Sequence, residues 1–173
     1  MVGRIKRNGF RRAVVTGVVV SCFLGLAAVA FALPPFTTAP KTASGSGGQA
    51  ELFAVAVGCH ATYDRFVVRE RFATPGYDVR YVTHIVADGS GNPVSLLGSK
   101  RIRVVIREAR GHTQGGTNLL PSVKTPLCAN LRQVKTAGDF EGVVSFGLGL
   151  RRRTGFRVFR LVAPARIVVD VAH

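Results

Sequence analysis

The sequence predicts an all-β sandwich standing behind an apolar N-terminal segment. Three observations predict it. From Glu51 onward, apolar and polar residues alternate with a period of two. Gly, Pro, Asn and Asp breakers separate the apolar runs. No segment after residue 50 sustains a helical apolar stripe. Composition narrows the class further. The chain has 173 residues, and its 47% hydrophobic content argues against disorder. A single long apolar stretch argues against a multi-spanning membrane protein. The length leaves room for one domain of about 120 residues, enough for a workable core.

The N-terminal element comes first. Residues 1–12 carry the cations Arg4, Lys6, Arg7, Arg11 and Arg12, and the stretch from Ala13 to Leu33 has no charge. That order defines residues 1–32 as a signal peptide or a signal anchor. Ala30 and Ala32 are small residues at the −3 and −1 positions of a cut before Leu33, which favours cleavage. The apolar run is also long enough to span a bilayer of about 30 Å, which favours an anchor. Arg11-Arg12 reads as an ordinary basic region rather than a twin-arginine signal, and Cys22 as part of the apolar run rather than a lipoprotein site. In both cases the chain after Leu33 faces outward, giving a secreted protein or one anchored to the cytoplasmic membrane. Residues 33–50 are rich in Pro, Gly, Ser and Thr and read as a linker.

Residues 51–173 form the expected β-domain of about eight short strands. In Arg101–Arg107, Ile102, Val104 and Ile106 face one way and Arg101, Arg103, Val105 and Arg107 the other. In Tyr63–Phe72, Phe66, Val68 and Phe72 oppose Arg65, Val67, Arg69 and Arg71. Gly142–Leu150, Phe156–Val162 and Ala165–Val171 alternate as clearly, whereas Glu51–Val57, Tyr77–Val86 and Asn130–Thr136 are weaker. Gly89–Pro93 and Gly138-Asp139 are turn signals, and Arg110–Pro126 is one long irregular loop.

Three stretches carry a family resemblance: Tyr63-Asp64-Arg65-Phe66-Val67-Val68 with His60 before it and Pro75-Gly76-Tyr77 after; Gly138-Asp139-Phe140 through Leu150; and Phe156–Phe159 followed by Pro164-Ala165-Arg166-Ile167-Val168-Val169-Asp170-Val171. Together they resemble the AMIN-like domain of bacterial cell-envelope proteins, especially the actinobacterial type. The resemblance implies a β-sandwich in the cell envelope. It also implies likeness to the non-catalytic modules that bind peptidoglycan or envelope partners.

Cys59 and Cys128 are the cysteines outside the leader, and export makes one disulfide the favoured reading over two buried thiols. Cys59 follows Phe53, Val55 and Val57 in register and is expected to point inward. The bridge closes a loop of about 70 residues, with a gain of about 2–4 kcal/mol. Asp64, Arg166 and Asp170 read as turn caps or strand-end ion pairs, a ligand site being the other reading. His60, His84, His112 and His173 lack metal-ligand spacing. No nucleophile elbow, zinc-protease or phosphate-loop motif occurs, so neither enzyme chemistry nor a cofactor or metal is expected.

Charge suggests the function. Lys+Arg number 24 and Asp+Glu 9, a difference of 24 − 9 = +15. Without residues 1–32 the difference is 19 − 9 = +10, so the domain itself is basic. Arg65, Arg69, Arg71, Arg101, Arg103 and Arg107 on outward strand positions, with Arg151, Arg152 and Arg153 at an expected hairpin tip, suggest a surface for peptidoglycan or another anionic wall polymer. The alternative is a protein-interaction module using residues 110–126 or the same basic face. Export and the lack of interleaved aromatics argue against nucleic acid. Membrane contact is expected only through the N-terminal segment, if it is retained.

Overall fold

Period-two alternation produces eight of the strands. Backbone pairing alone produces three more. The computed structural model describes residues 32–173; the expected leader, apart from Ala32, lies outside them. The strands are β1 (Lys41–Ala43), β2 (Ala50–Cys59), β3 (Tyr63–Arg71), β4 (Gly76–Val82), β5 (Lys100–Arg107), β6 (Ala109–Arg110), β7 (Val123–Lys124), β8 (Leu131–Phe140), β9 (Val143–Leu150), β10 (Phe156–Val162) and β11 (Ala165–Ala172). One sheet runs β1-β4-β5-β9-β8-β7 and the other β10-β11-β3-β2-β6. Among the described residues there is no helix.

The apolar faces of both sheets meet in one core, where Phe66, Val68, Ile102, Val104, Ile106, Phe146, Leu148, Phe156, Ile167 and Val169 are fully buried. Phe66 and Phe146 meet edge to face across it at 5.3 Å between ring centres, a preferred aromatic geometry.

The structure corrects several expectations. Phe72 does not share the inward face: the strand stops at Arg71, and Phe72 turns outward at φ 75° with 73% of its surface exposed. The inward positions flanking Phe66 and Val68 belong instead to the buried acids Asp64 and Glu70. A bulge between Leu52 and Ala54 takes Phe53 out of register, so Leu52 and Val55 enter the core. Gly138-Asp139 lies within β8, and the turn comes at Glu141-Gly142, both at positive φ (48° and 77°), as tight hairpins require. Arg151–Arg153 joins β9 of one sheet to β10 of the other and is no hairpin tip. β4 ends at Val82, short of Val86.

The stretch read as a linker is laid onto the domain. Thr37 bridges to Phe156, β1 pairs with β4, and Ser46 bridges to Thr74. Strand β1 thereby covers the edge of β4, which alternation in β1 itself could not foretell. Within residues 110–126, β7 pairs with β8 and His112 bridges to Asn118.

The outward positions of β8 and β9 are small for a reason. The connection between β4 and β5, residues 83–99, lies across them. A Cβ on Gly147 would stand 2.8 Å from Leu96 Cδ1, one on Gly149 2.1 Å from the Leu97 carbonyl oxygen, and one on Gly138 2.3 Å from Asp88 Cβ. Ile85, Leu96 and Ala137 form a small second core there. Asp88 latches the connection: it accepts from Arg103 Nη2 at 2.6 Å and from Ser145 Oγ at 2.5 Å, and its amide donates to the Ala137 carbonyl. The ends of this latched connection, Thr83-His84 and Gly98-Ser99, border the site described next.

Candidate anion-binding site

The nine arginines singled out by sequence are not one surface. Arg65, Arg69 and Arg71 lie on β3, and Arg101, Arg103 and Arg107 on β5, in different sheets. Both sets face away from the shared core, so they occupy opposite sides of the sandwich. Four are also engaged: Arg65 with Asp170, Arg71 with Glu51, Arg103 with Asp88, and Arg107 with Asp78 at 3.8 Å. Arg110 adds a second cation to Glu51. The hydrogen bond from Arg71 holds the Glu51 carboxyl below its usual range, helped by Arg110 and opposed by desolvation.

Four of the remaining five gather differently. Register sets Val82 opposite Arg101, and Leu150 opposite both Lys100 and Leu131. One end of the first sheet therefore collects Lys100, Arg101, Arg132 and Arg151–Arg153; Arg69 stays apart on β3. Among the described residues none of these six cations pairs with a carboxylate.

A cleft of about 450 Å³ opens at this end between Thr83, His84, Ser99, Lys100, Arg101 and Arg153. Arg153 lies over the Tyr81 ring at 4.2 Å, while the Tyr81 hydroxyl donates to the Thr154 carbonyl at 2.7 Å. No side-chain carboxylate lines the cleft.

The nine side-chain carboxylates account for this asymmetry. Glu51, Glu70, Glu108, Asp139 and Glu141 sit by register at or near the opposite end, and Asp78 and Asp88 lie along the sheet. Asp64 is at the basic end but fully buried, accepting from the amides of Asn130 (2.7 Å) and Leu131 (2.8 Å) and contacting His173 Nε2 at 2.9 Å. Asp170, also fully buried, takes a two-point contact from Arg65 (2.6 and 2.9 Å) and a third from Arg157 at 2.9 Å. Arg166 Nε donates to the Pro164 carbonyl within its own hairpin. The disulfide Cys59–Cys128 is formed. The two sulfurs and Asp64 place donor atoms within 4.8 Å of one another, but bonded sulfurs offer no thiolate to a metal.

The three resemblance-bearing stretches thus build the buried carboxylate contacts and the seat of the 83–99 connection. The family model for the AMIN-like domain matches residues 50–173. The chain belongs to the AMIN-like domain family. No curated protein and no solved structure matches it. AMIN-like domains are generally non-catalytic binding modules of the cell envelope, which points to an extracytoplasmic or envelope location for this one.

In this AMIN-like domain, sequence reasoning missed Lys100, Arg132, His84 and Ser99 as neighbours of Arg101 and Arg153. Lys100 could have been read from its place beside Arg101. Arg132 carries no local signal because β-sheet register brings it there, and His84 none because it lies on the irregular connection after β4.

Sequence reasoning also missed Glu70. Its side chain is buried at 4% exposure, and Oε2 has no hydrogen-bond partner among the described residues; nor has the buried Nε of Arg160. Burial raises the Glu70 carboxyl from 4.5 to about 7, with the Arg160 charge working the other way. The folded AMIN-like domain therefore keeps a proton between pH 4.5 and about 7 that the unfolded chain has released. The stabilisation is complete below 4.5, falls as pH rises and is gone above about 7. Glu70→Gln removes this slope: against the parent it gains up to about 3 kcal/mol between acid and mildly alkaline buffer. Urea unfolding of both proteins across the range measures the difference; parallel pH profiles would refute the assignment.

Proposed function

We propose that this AMIN-like domain is an exported, non-catalytic module that binds an anionic polymer of the cell envelope. The observation that carries the reading is the cleft bordered by Lys100, Arg101 and Arg153 at an end where no side-chain carboxylate is exposed. Cations without a carboxylate partner attract a polyanion without first breaking ion pairs, and a concave seat concentrates their field. The arginines already joined to Asp170, Glu51, Asp88 and Asp78 contribute structure rather than affinity. The polymer-binding set is therefore Lys100, Arg101, Arg132, Arg151, Arg152 and Arg153. The domain meets the wall through this end, and any membrane contact belongs to the N-terminal segment.

Pelleting of the full chain with purified cell walls tests the reading. Binding weakens as salt rises and the Debye length shrinks from about 10 Å to about 3 Å. Arg101→Glu with Arg153→Glu weakens binding about tenfold or more, or about 1.4 kcal/mol. Salt-insensitive pelleting, or a double variant that pellets like the parent, would overturn it.

A further inference from the structure

We infer, resting on the anion-binding reading above, that the site takes a linear phosphodiester polymer and holds successive phosphates on either side of Ser99. A second cleft, of about 380 Å³, is lined by Gly98, Ser99, Arg132 and Arg151. It shares Ser99 with the first cleft. Each cleft has its own cations: Lys100, Arg101 and Arg153 in one, Arg132 and Arg151 in the other.

The wall between them is low and fixed. Gly98 adopts φ 101°, and a Cβ there would stand 2.3 Å from the Leu150 carbonyl oxygen, so the chain is pressed flat against β9. Ser99 donates its amide to Leu150 O at 2.8 Å and its hydroxyl to Arg151 O at 2.8 Å. Arg132 is anchored as well, its Nη1 donating to the carbonyl of Cys128 at 2.8 Å. A ligand with one anionic group fills one cleft and leaves the other cations unmatched. A chain charged at every repeat fills both, and the second contact forms at the high effective concentration set by the first.

The lining also distinguishes a charged chain from a glycan strand. Sugar rings commonly stack on an open aromatic face, and the Tyr81 ring at this site is already covered by Arg153. The four arginines offer planar forks matched to phosphate oxygens.

Titration of the full chain with glycerol 3-phosphate and with polyglycerol phosphate of graded length tests this. Affinity per phosphate rises about tenfold or more from the monomer to chains that span both clefts. In Arg151→Glu, and separately in Arg132→Gln, that length dependence collapses. The Arg151 side chain is exposed and makes no hydrogen bond of its own among the described residues, so the first variant does not depend on the fold tolerating a lost contact. A per-phosphate affinity independent of length would overturn this inference alone. Equally tight binding of a phosphate-free glycan strand would overturn the choice of a phosphodiester chain. Failure of both phosphate probes to bind would overturn this inference, whereas the anion-binding reading falls only if the salt-dependent pelleting with cell walls fails as well.

Discussion

Replacing Cys59 and Cys128 with serine lowers the stability of the domain by about 4 kcal/mol. The bridge joins residues 69 apart in sequence. Closing a loop of that length removes a correspondingly large share of the entropy of the unfolded chain, since the cost of closure grows with the logarithm of loop length. Its position in the fold adds to the effect. Cys59 ends β2 in one sheet, and Cys128 stands just before β8 in the other. The bridge therefore ties the two sheets together at the basic end. Beside it, Asp64 accepts the amides of Asn130 and of Leu131, the first residue of β8. Asn130 in turn reaches the Ala172 carbonyl and the Thr154 hydroxyl through its side-chain amide. Strand ends from both sheets are thus fastened at one place, next to Arg132 and Arg151–Arg153. Chemical unfolding of the oxidised parent against the double serine variant gives the number. A difference below about 1 kcal/mol would refute it. The reduced protein should also lose polymer affinity, because Arg132 lies on the strand that follows Cys128 and the Arg151 amide donates to the Asn130 carbonyl beside it.

Most of the sandwich was legible because alternation is a local signal. Ile102, Val104 and Ile106 must face one way whatever they meet, and burying that side assigns the face. Strands β1, β6 and β7 were not legible. They are two or three residues long, too short to show a period, and they exist because a neighbouring strand offers unpaired backbone groups. The bulge at Phe53 and the outward turn at Phe72 were hidden for a related reason. A single inserted residue, or a left-handed residue at a strand end, changes the facing of its neighbours without changing their types.

The candidate site was less legible than the fold. Outward parity was read correctly for six arginines, yet parity says nothing about which side of a two-sheet structure a strand occupies, or about whether a carboxylate stands opposite. Arg65 and Asp170 are 105 residues apart, and Arg103 and Asp88 are 15 apart. Only register and the course of the 83–99 connection bring them together. Four of the arginines on the sheet faces are tied to carboxylates, whereas Arg101 and Arg151–Arg153 stand together at one end without one among the described residues.

Asp170→Ala costs about 3–5 kcal/mol, the range for breaking a buried ion pair from one side. Asp170 is fully buried, and Arg65 and Arg157 keep side-chain exposures of only 24% and 13%. Register places the three on one row, Arg157 opposite Asp170 and Asp170 opposite Arg65, so one carboxylate pairs with two guanidinium groups across three adjacent strands. Its hydrogen bond raises the Arg65 pKa, an effect opposed by desolvation and helped by the charge itself. Both cations are also fixed from above: Arg157 lies 4.3 Å from the Phe36 ring and Arg65 5.1 Å from that of Tyr63. They cannot swing far into solvent when the carboxylate goes, and two like charges are left facing each other in a half-buried setting. The loss therefore comes from the stranded cations more than from a missing attraction. That distinction is measurable. Adding Arg65→Leu to Asp170→Ala removes one stranded charge and should recover a substantial part of the lost stability, a coupling of about 1–3 kcal/mol in the double-mutant cycle. If the two substitutions simply add, Asp170 acts by packing alone and the ion-pair account fails. Phe36 comes from the stretch before β1, so the same substitution should also loosen the N-terminal segment where it crosses β10. Hydrogen exchange at the Thr37 amide, which donates to the Phe156 carbonyl at 3.2 Å, would report that loosening directly.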